Sequence, residues 1–254
     1  KTGADVHVHE SSWSDAGLAW RIWGASRIMA HALDAAAHAE RSSAIRGSEE
    51  TPTRFPGKTS REVGNVEKRG DEQGKEEKNA EEPFLRVRGA RVLELGAGTS
   101  LPGLVLHELG ARVVLTDTSE EGCVLPNIFQ IVSACDEKKR LRDGDANRRD
   151  ARFRAKPPSL EVRHLHWGRL DAEAVALAKT GFDVVIGADV LYGKSRDFHA
   201  VFATARLLLE NAPSRSEGVF VTAYQHRASH RSIESSLVTN GLVVRRAFRY
   251  PAEG

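Results

Sequence analysis

The hydrophobic positions of this chain follow two patterns that take turns along the sequence. Short runs rich in Val, Leu, Ile and Phe are typical of buried strands, and segments with apolar residues three and four apart are typical of helices. This order predicts an α/β fold, with a doubly wound, mostly parallel sheet covered on both faces. The predicted strands are 91–95, 112–116, 160–165, 182–187, 218–223 and 242–248, and the predicted helices are 101–109, 123–134, 170–178, 198–209 and 233–238.

Two polar stretches interrupt this pattern. Residues 41–82 carry 19 charged side chains in 42 positions and only six hydrophobic ones, too few to offset the entropy of ordering, so a disordered insert is expected. Residues 136–158 carry nine basic and five acidic side chains and are expected to form a basic loop. The remaining parts are 1–40, an N-terminal strand and helix packing on the core, and 83–254, the core itself.

Charge and composition exclude several classes of protein. The net charge of +2 over 254 residues is too small to indicate a nucleic-acid partner, except indirectly through the basic loop 136–158. No apolar run is long enough to span a bilayer, so no membrane partner is expected. The two cysteines suit a reducing compartment, which predicts a cytoplasmic or nuclear location. No metal site is expected, because no acid or cysteine completes any of the histidine pairs.

The loop after the first core strand carries the first candidate chemistry. Glu94 precedes Gly96 and Gly98, and a helix start follows at 100–103, where Thr99 or Ser100 can act as the cap. A dinucleotide fingerprint needs a third glycine where Leu101 stands, which argues against a nicotinamide-dependent oxidoreductase. A fixed negative charge at Glu94 favours a cationic ligand, such as S-adenosylmethionine.

A second acid stands at the end of the next predicted strand. Asp117 lies 23 positions after Glu94. An acid at that separation from a glycine loop can accept both hydroxyls of a ribose.

Four motifs together resemble the seven-β-strand lysine methyltransferase family, also called methyltransferase family 16. They lie at 92–103, 116–117, 165–168 and 188–192. The resemblance implies a Rossmann-like methyltransferase fold and an S-adenosylmethionine-dependent N-methyltransferase that acts on Lys or Arg side chains of a protein substrate. Two alternatives stay open: a methyltransferase for a small, nicotinamide-like amine, and a non-catalytic binding module that retains the cofactor pocket.

The resemblance also implies roles for individual residues. Asp189 and Tyr192 are the expected catalytic pair at the acceptor entrance. His166 stands where many relatives have an acid. Family members also end with an antiparallel strand after the sixth strand, and the expected sheet has a gap at that place. The expected cofactor-binding residues are Glu94, Gly96 and Gly98 at the methionine part, Asp117 at the ribose, Trp167 near the adenine, Ala188, and Trp23 from the N-terminal helix that closes over the cofactor, with Trp20 as the alternative match.

Overall fold

A parallel five-stranded sheet forms the centre of the computed structural model, which describes residues 22, 24–49, 85–118, 124–143, 158–192, 195–213, 217–225 and 233–248. The strands are β1 Arg91–Leu95, β2 Arg112–Asp117, β3 Leu160–His164, β4 Val184–Ala188 and β5 Val219–Ala223. The helices are α1 Gly24–Glu49, α2 Leu101–Glu108, α3 Val124–Asp143, α4 Ala172–Thr180, α5 Ser195–Leu209 and α6 Ile233–Thr239. The strand order is β3-β2-β1-β4-β5, and every neighbouring pair is parallel, which confirms the predicted α/β class.

Helices cover both faces of the sheet. Successive strand residues point to opposite faces, so in β1 Val92 packs in one core layer and Leu93 in the other. The first layer receives side chains from α1, α2 and α3, among them Met29, Leu33, Leu106 and Ile128. The second receives side chains from α4 and α5, among them Leu177, Phe198 and Phe202.

The strand order places a crevice at the carboxyl ends of the central strands. The chain leaves β1 towards β2 and β3 on one side and returns through β4 and β5 on the other. Ligands of such sheets bind at this reversal, outside the carboxyl ends of the strands. The loops after β1, β2 and β4 all meet there, and they carry most of the candidate residues.

The predicted strand 242–248 is wrong. In the structure this segment is not a strand, and Val243 is 82% exposed. A strand needs a neighbour that completes its ladder of hydrogen bonds, and among the described residues none pairs with this segment or with the outer edge of β5. The gap expected at the end of the sheet is consistent with this arrangement.

Two predicted boundaries also need correction. Helix α1 continues through 41–49, which were expected to belong to a disordered insert, and α3 continues through 136–143, which were expected to begin the basic loop. Extending an existing helix by one residue is much easier than starting one, and Arg, Lys, Glu and Leu are good helix formers. High charge alone therefore does not end a helix.

Several expectations lie outside the described residues. These are the N-terminal strand, Trp20 and Trp23, residues 50–82 of the first insert and residues 144–157 of the second. Within the part of the chain that the structure describes, no helix is both long and apolar enough to cross a membrane.

Candidate functional site

The loop between β1 and α2 has the backbone that its glycines predict. Gly96 and Gly98 have φ angles of 58° and 50°, in the left-handed region that glycine adopts without strain. A Cβ atom on Gly96 would lie 2.8 Å from Cζ2 of Trp167, which is closer than real Cβ contacts allow. Glycine at position 96 is therefore required both by the backbone and by the indole packed against it.

Asp117 joins the end of β2 to this loop. Its Oδ2 accepts a hydrogen bond from the Gly98 N–H at 2.9 Å, and its Oδ1 accepts one from the Thr118 N–H at 2.8 Å. The backbone adds a second link between β2 and the loop, since the Ala97 N–H donates to the Thr116 carbonyl at 2.9 Å. The predicted ribose acceptor and the predicted methionine cradle thus form one hydrogen-bonded unit.

Glu94 is buried under the same loop. It shares a strand face with Val92, towards α2, and is only 1% exposed. Its Oε2 accepts the Gly103 N–H at 2.9 Å, and a Cβ on Gly103 would lie 2.4 Å from that oxygen. The carboxyl group therefore satisfies one of the N–H groups at the start of α2 that lack a partner within the helix.

The burial of Glu94 changes its protonation. Burial raises the pKa of Glu94 from its ordinary value of 4.5 to about 8; the Gly103 hydrogen bond opposes this rise, and the negative charge of Asp117 adds to it. At neutral pH the group is mostly protonated in the chain by itself. The expectation of a fixed negative charge at position 94 therefore needs correction, because only half of the molecules carry the charge at about pH 8 and fewer do at neutral pH.

Ser100 begins helix α2 in an unusual way. It occupies the N-cap position with φ 59° and ψ 17°, and its side chain makes none of the capping hydrogen bonds expected from the sequence. Its hydroxyl is buried and has no hydrogen-bond partner among the described residues. A non-glycine residue in this backbone region costs about 1–2 kcal/mol.

Replacing Ser100 by Gly is expected to stabilise the fold by about 1 kcal/mol, because it relieves the left-handed strain and removes a buried hydroxyl without a partner. Urea unfolding of the purified chain measures the change. Ser100→Ala is the matched control, since it removes the hydroxyl and keeps the strain. A Gly variant no more stable than the Ala variant would show that the backbone at position 100 is not strained.

The predicted acceptor side of the crevice follows β4. Asp189 has φ 55°, also left-handed, and its N–H donates to the Ala223 carbonyl at 2.7 Å. Ala188, the last residue of β4, pairs with Ala223 in the β5 register. The turn that carries Asp189 is thus fixed to the end of β5, and a strained residue held in this way is typical of functional sites.

Two aromatic rings connect the glycine loop with this turn. The Trp167 ring, already against Gly96, meets the Tyr192 ring edge to face with centroids 6.3 Å apart. The structure therefore brings Trp167 between the predicted cofactor loop and the predicted acceptor loop. Its contact with the adenine stays a prediction.

The structure brings together most of the residues that the sequence singled out. Glu94, Gly96, Gly98 and Asp117 form the connected group described above, Trp167 joins it to Tyr192, and Asp189 follows Ala188. Sequence reasoning missed the role of Gly103 as the partner of Glu94, although it stood inside a recognised motif. No group of His, Cys, Asp or Glu within the described ranges could hold a metal ion.

A parallel α/β sheet with this glycine loop, a buried acid before it and a second acid at the next strand end defines a nucleotide-type cofactor site. The family model described as "Lysine methyltransferase" matches residues 2–139, which is more than half of the chain. The chain belongs to this lysine methyltransferase family. Membership confirms the predicted cofactor, S-adenosylmethionine.

Curated relatives point in the same direction. The chain is 30% identical over 149 residues to "Histone-arginine methyltransferase METTL23" of Mus musculus, covering 59% of this chain and 49% of that protein. It is 33% identical over 149 residues to "Protein N-terminal and lysine N-methyltransferase EFM7" of Yarrowia lipolytica, covering 56% and 50%. The chain thus spans about half the length of these relatives.

Among solved structures, the chain is similar to the magnesium protoporphyrin IX methyltransferase of Synechocystis PCC 6803 with bound SAH. The TM-score is 0.38 at 19% identity, over 63% of this chain and 67% of that one. The family assignment depends on the sequence match and not on this likeness.

The described residues fit S-adenosylmethionine. Gly96 and Gly98 carry no side chains and have left-handed backbones, so the methionine part can approach their backbone closely. The Asp117 carboxylate stands directly beside the cradle and suits the ribose hydroxyls.

Proposed function

We propose that this chain is an S-adenosylmethionine-dependent N-methyltransferase that modifies Lys or Arg side chains of a protein. The observation that carries the proposal is the position of Asp189 and Tyr192. They follow β4, the strand beside β1, at the sheet edge where the hydrogen-bonded unit of Gly98 and Asp117 lies. The relatives named above as histone-arginine and lysine methyltransferases support a protein acceptor over a small amine.

The chemistry asks the protein mainly for orientation. When bound, the cofactor would supply an activated methyl group, whose carbon an acceptor nitrogen attacks in line while the cofactor's sulfur leaves as a neutral thioether. A lysine acceptor must first lose a proton from a group with an ordinary pKa near 10.4. The Asp189 carboxylate can accept a hydrogen bond from that nitrogen and so direct the nitrogen's lone pair towards the methyl group. The edge-to-face contact with Trp167 holds the Tyr192 ring in place three residues further along the chain.

Labelled methyl transfer tests the proposal directly. The purified chain is incubated with a cell lysate and S-adenosylmethionine that carries an isotopically labelled methyl group, and the modified proteins are identified by mass spectrometry. Label on Lys or Arg side chains is the expected result. Label only in small amines would support the alternative acceptor, and cofactor binding with no transfer to any acceptor would support a binding module.

Replacing Asp189 by Asn is expected to lower the rate of transfer at least about tenfold, because the amide loses the charge that orients the nitrogen. Asn tolerates the left-handed backbone of position 189, so the turn and its bond to Ala223 should persist. Initial rates and the calorimetric affinity for S-adenosylmethionine are both measured. An unchanged rate, or a loss of rate explained by weaker cofactor binding, would contradict this role.

We also propose that the protein acts in the cytoplasm or the nucleus. The low cysteine content supports this location. Imaging of the tagged protein in living cells would test it.

A further inference from the structure

Tyr224 follows directly after β5 and has no part in the site described so far. Within β5, Val221 and Ala223 pack in the α1 layer, whereas Phe220 packs in the α5 layer. Thr222, on the same face as Phe220, donates from its hydroxyl to the Gly187 carbonyl of β4. The alternation of strand side chains therefore brings Tyr224 out on the α5 face, at the carboxyl edge of the sheet.

The rest of the acceptor side lies on that same face and edge. Trp167 packs against the α5 layer, and its ring contacts Tyr192. The residue before Tyr224 is Ala223, whose carbonyl accepts the Asp189 N–H at 2.7 Å. Tyr224 is therefore one residue away from the atom that fixes Asp189.

Both tyrosines remain open to solvent. Tyr192 is 37% exposed, although Leu191 before it is buried, and Tyr224 is 36% exposed beside the partly buried Ala223. Large aromatic side chains usually gain stability by burial, so two exposed rings at the end of the sheet that carries Asp189 indicate a binding surface. The face of a tyrosine ring attracts cations.

Resting on the function proposed above, we propose that Tyr224 is a second aromatic wall of the acceptor site. Together with Tyr192 and the Asp189 carboxylate, it selects an acceptor whose nitrogen belongs to a cationic group, the ammonium of lysine or the guanidinium of arginine. A neutral amine or alcohol of the same size gains neither the ring contacts nor the ionic attraction. Tyr224 thus determines substrate specificity and takes no part in the transfer step.

Fluorine NMR tests this recognition without any methyl transfer. The chain has only three tyrosines, Tyr192, Tyr224 and Tyr250. Protein grown with 3-fluorotyrosine should give three lines, which single Tyr→Phe variants assign. The sample is titrated with n-butylammonium, with n-butylguanidinium and with 1-pentanol as the neutral control.

The Tyr192 and Tyr224 lines are expected to shift together in response to at least one of the cations, with a midpoint about fivefold lower than for pentanol. A Tyr224 line that does not move would overturn the proposal. So would an equal response to pentanol, or an equal shift of all three lines, since either would show that the site does not recognise cations.

Transfer kinetics give a second readout. Tyr224→Ala is expected to raise the lysate concentration that gives half the maximal rate about fivefold, with the maximal rate and the cofactor affinity within twofold of the wild type. Tyr224→Phe keeps the ring and should behave nearly as the wild type. Phe129→Ala removes a half-exposed aromatic ring from α3 and is the matched control.

The two hypotheses fail in different ways. A wild-type chain that transfers no methyl group would count against the proposed function. A wild-type chain that transfers normally, with Tyr224→Ala unchanged in both measured quantities, would overturn the role of Tyr224 alone.

Discussion

Replacing Asp117 by Ala is expected to raise the dissociation constant for S-adenosylmethionine about 100-fold. The Asp117 carboxylate accepts the Gly98 N–H at 2.9 Å, so its removal releases the glycine loop from this hydrogen bond. It also removes the acceptor proposed for the ribose hydroxyls. Hydrogen bonds to a charged group contribute about 1.5–3 kcal/mol each, and 100-fold corresponds to about 2.7 kcal/mol. Isothermal titration calorimetry measures the change directly.

The chain offers a matched control for this experiment. Asp183 makes the same kind of contact, with its Oδ2 accepting the Arg91 N–H at 2.8 Å. It directly precedes β4 and therefore lies at the amino ends of the strands, away from the crevice. Asp183→Ala should lower the melting temperature and leave the cofactor affinity unchanged. If the dissociation constant of Asp117→Ala for S-adenosylmethionine is within threefold of the wild-type value, Asp117 does not hold the cofactor.

The sequence predicted the layered fold and five of the strands because the relevant signals are local. A run of Val, Leu and Ile in a βα repeat identifies a buried strand such as 184–188 without knowledge of its neighbours. Residues 242–248 carry the same signal, yet they form no strand in the structure, because pairing depends on a partner elsewhere in the chain. The prediction for residues 41–49 and 136–143 was wrong for another reason. Few hydrophobic residues mean little burial, but they do not prevent a helix, which also depends on helix propensity.

The sequence predicted which residues lie at the candidate site, but it predicted their geometry only in part. Spacing placed Glu94 and Asp117 beside the glycines, and the structure bears this out. Spacing did not tell whether Glu94 faces the crevice or the helix. The alternation of β1 contained that information, since Glu94 shares the face of Val92, but the partner Gly103 became visible only once α2 was packed on that face.

The second large effect concerns the pH dependence of stability. The pKa of Glu94 in the folded chain, about 8, lies above its ordinary value of 4.5, so between these values the folded state holds a proton that the unfolded state releases. The contribution of this proton to the free energy of unfolding is complete below about pH 4.5 and is lost as the pH rises towards 8. With a shift of this size, Glu94 should cost the wild type roughly 3–5 kcal/mol at pH 8.5 relative to pH 4.5.

Glu94→Gln is the variant that isolates this effect. Its amide oxygen can still accept the Gly103 N–H, but the side chain no longer titrates. Other groups titrate alike in both proteins, so the difference in their free energies of unfolding should grow in favour of the variant from pH 5 to pH 8 and then level off. Urea unfolding at pH 5, 6.5, 8 and 9 measures it.

Glu94→Leu separates the hydrogen bond from the charge. It leaves the Gly103 N–H without its acceptor and should be less stable than Glu94→Gln by about 1–3 kcal/mol at every pH. Parallel stability curves for the wild type and Glu94→Gln would contradict the raised pKa, and equal stability of the two variants would contradict the hydrogen bond. Since the first outcome concerns only the charge and the second only the contact, the two roles of this buried acid can be judged separately.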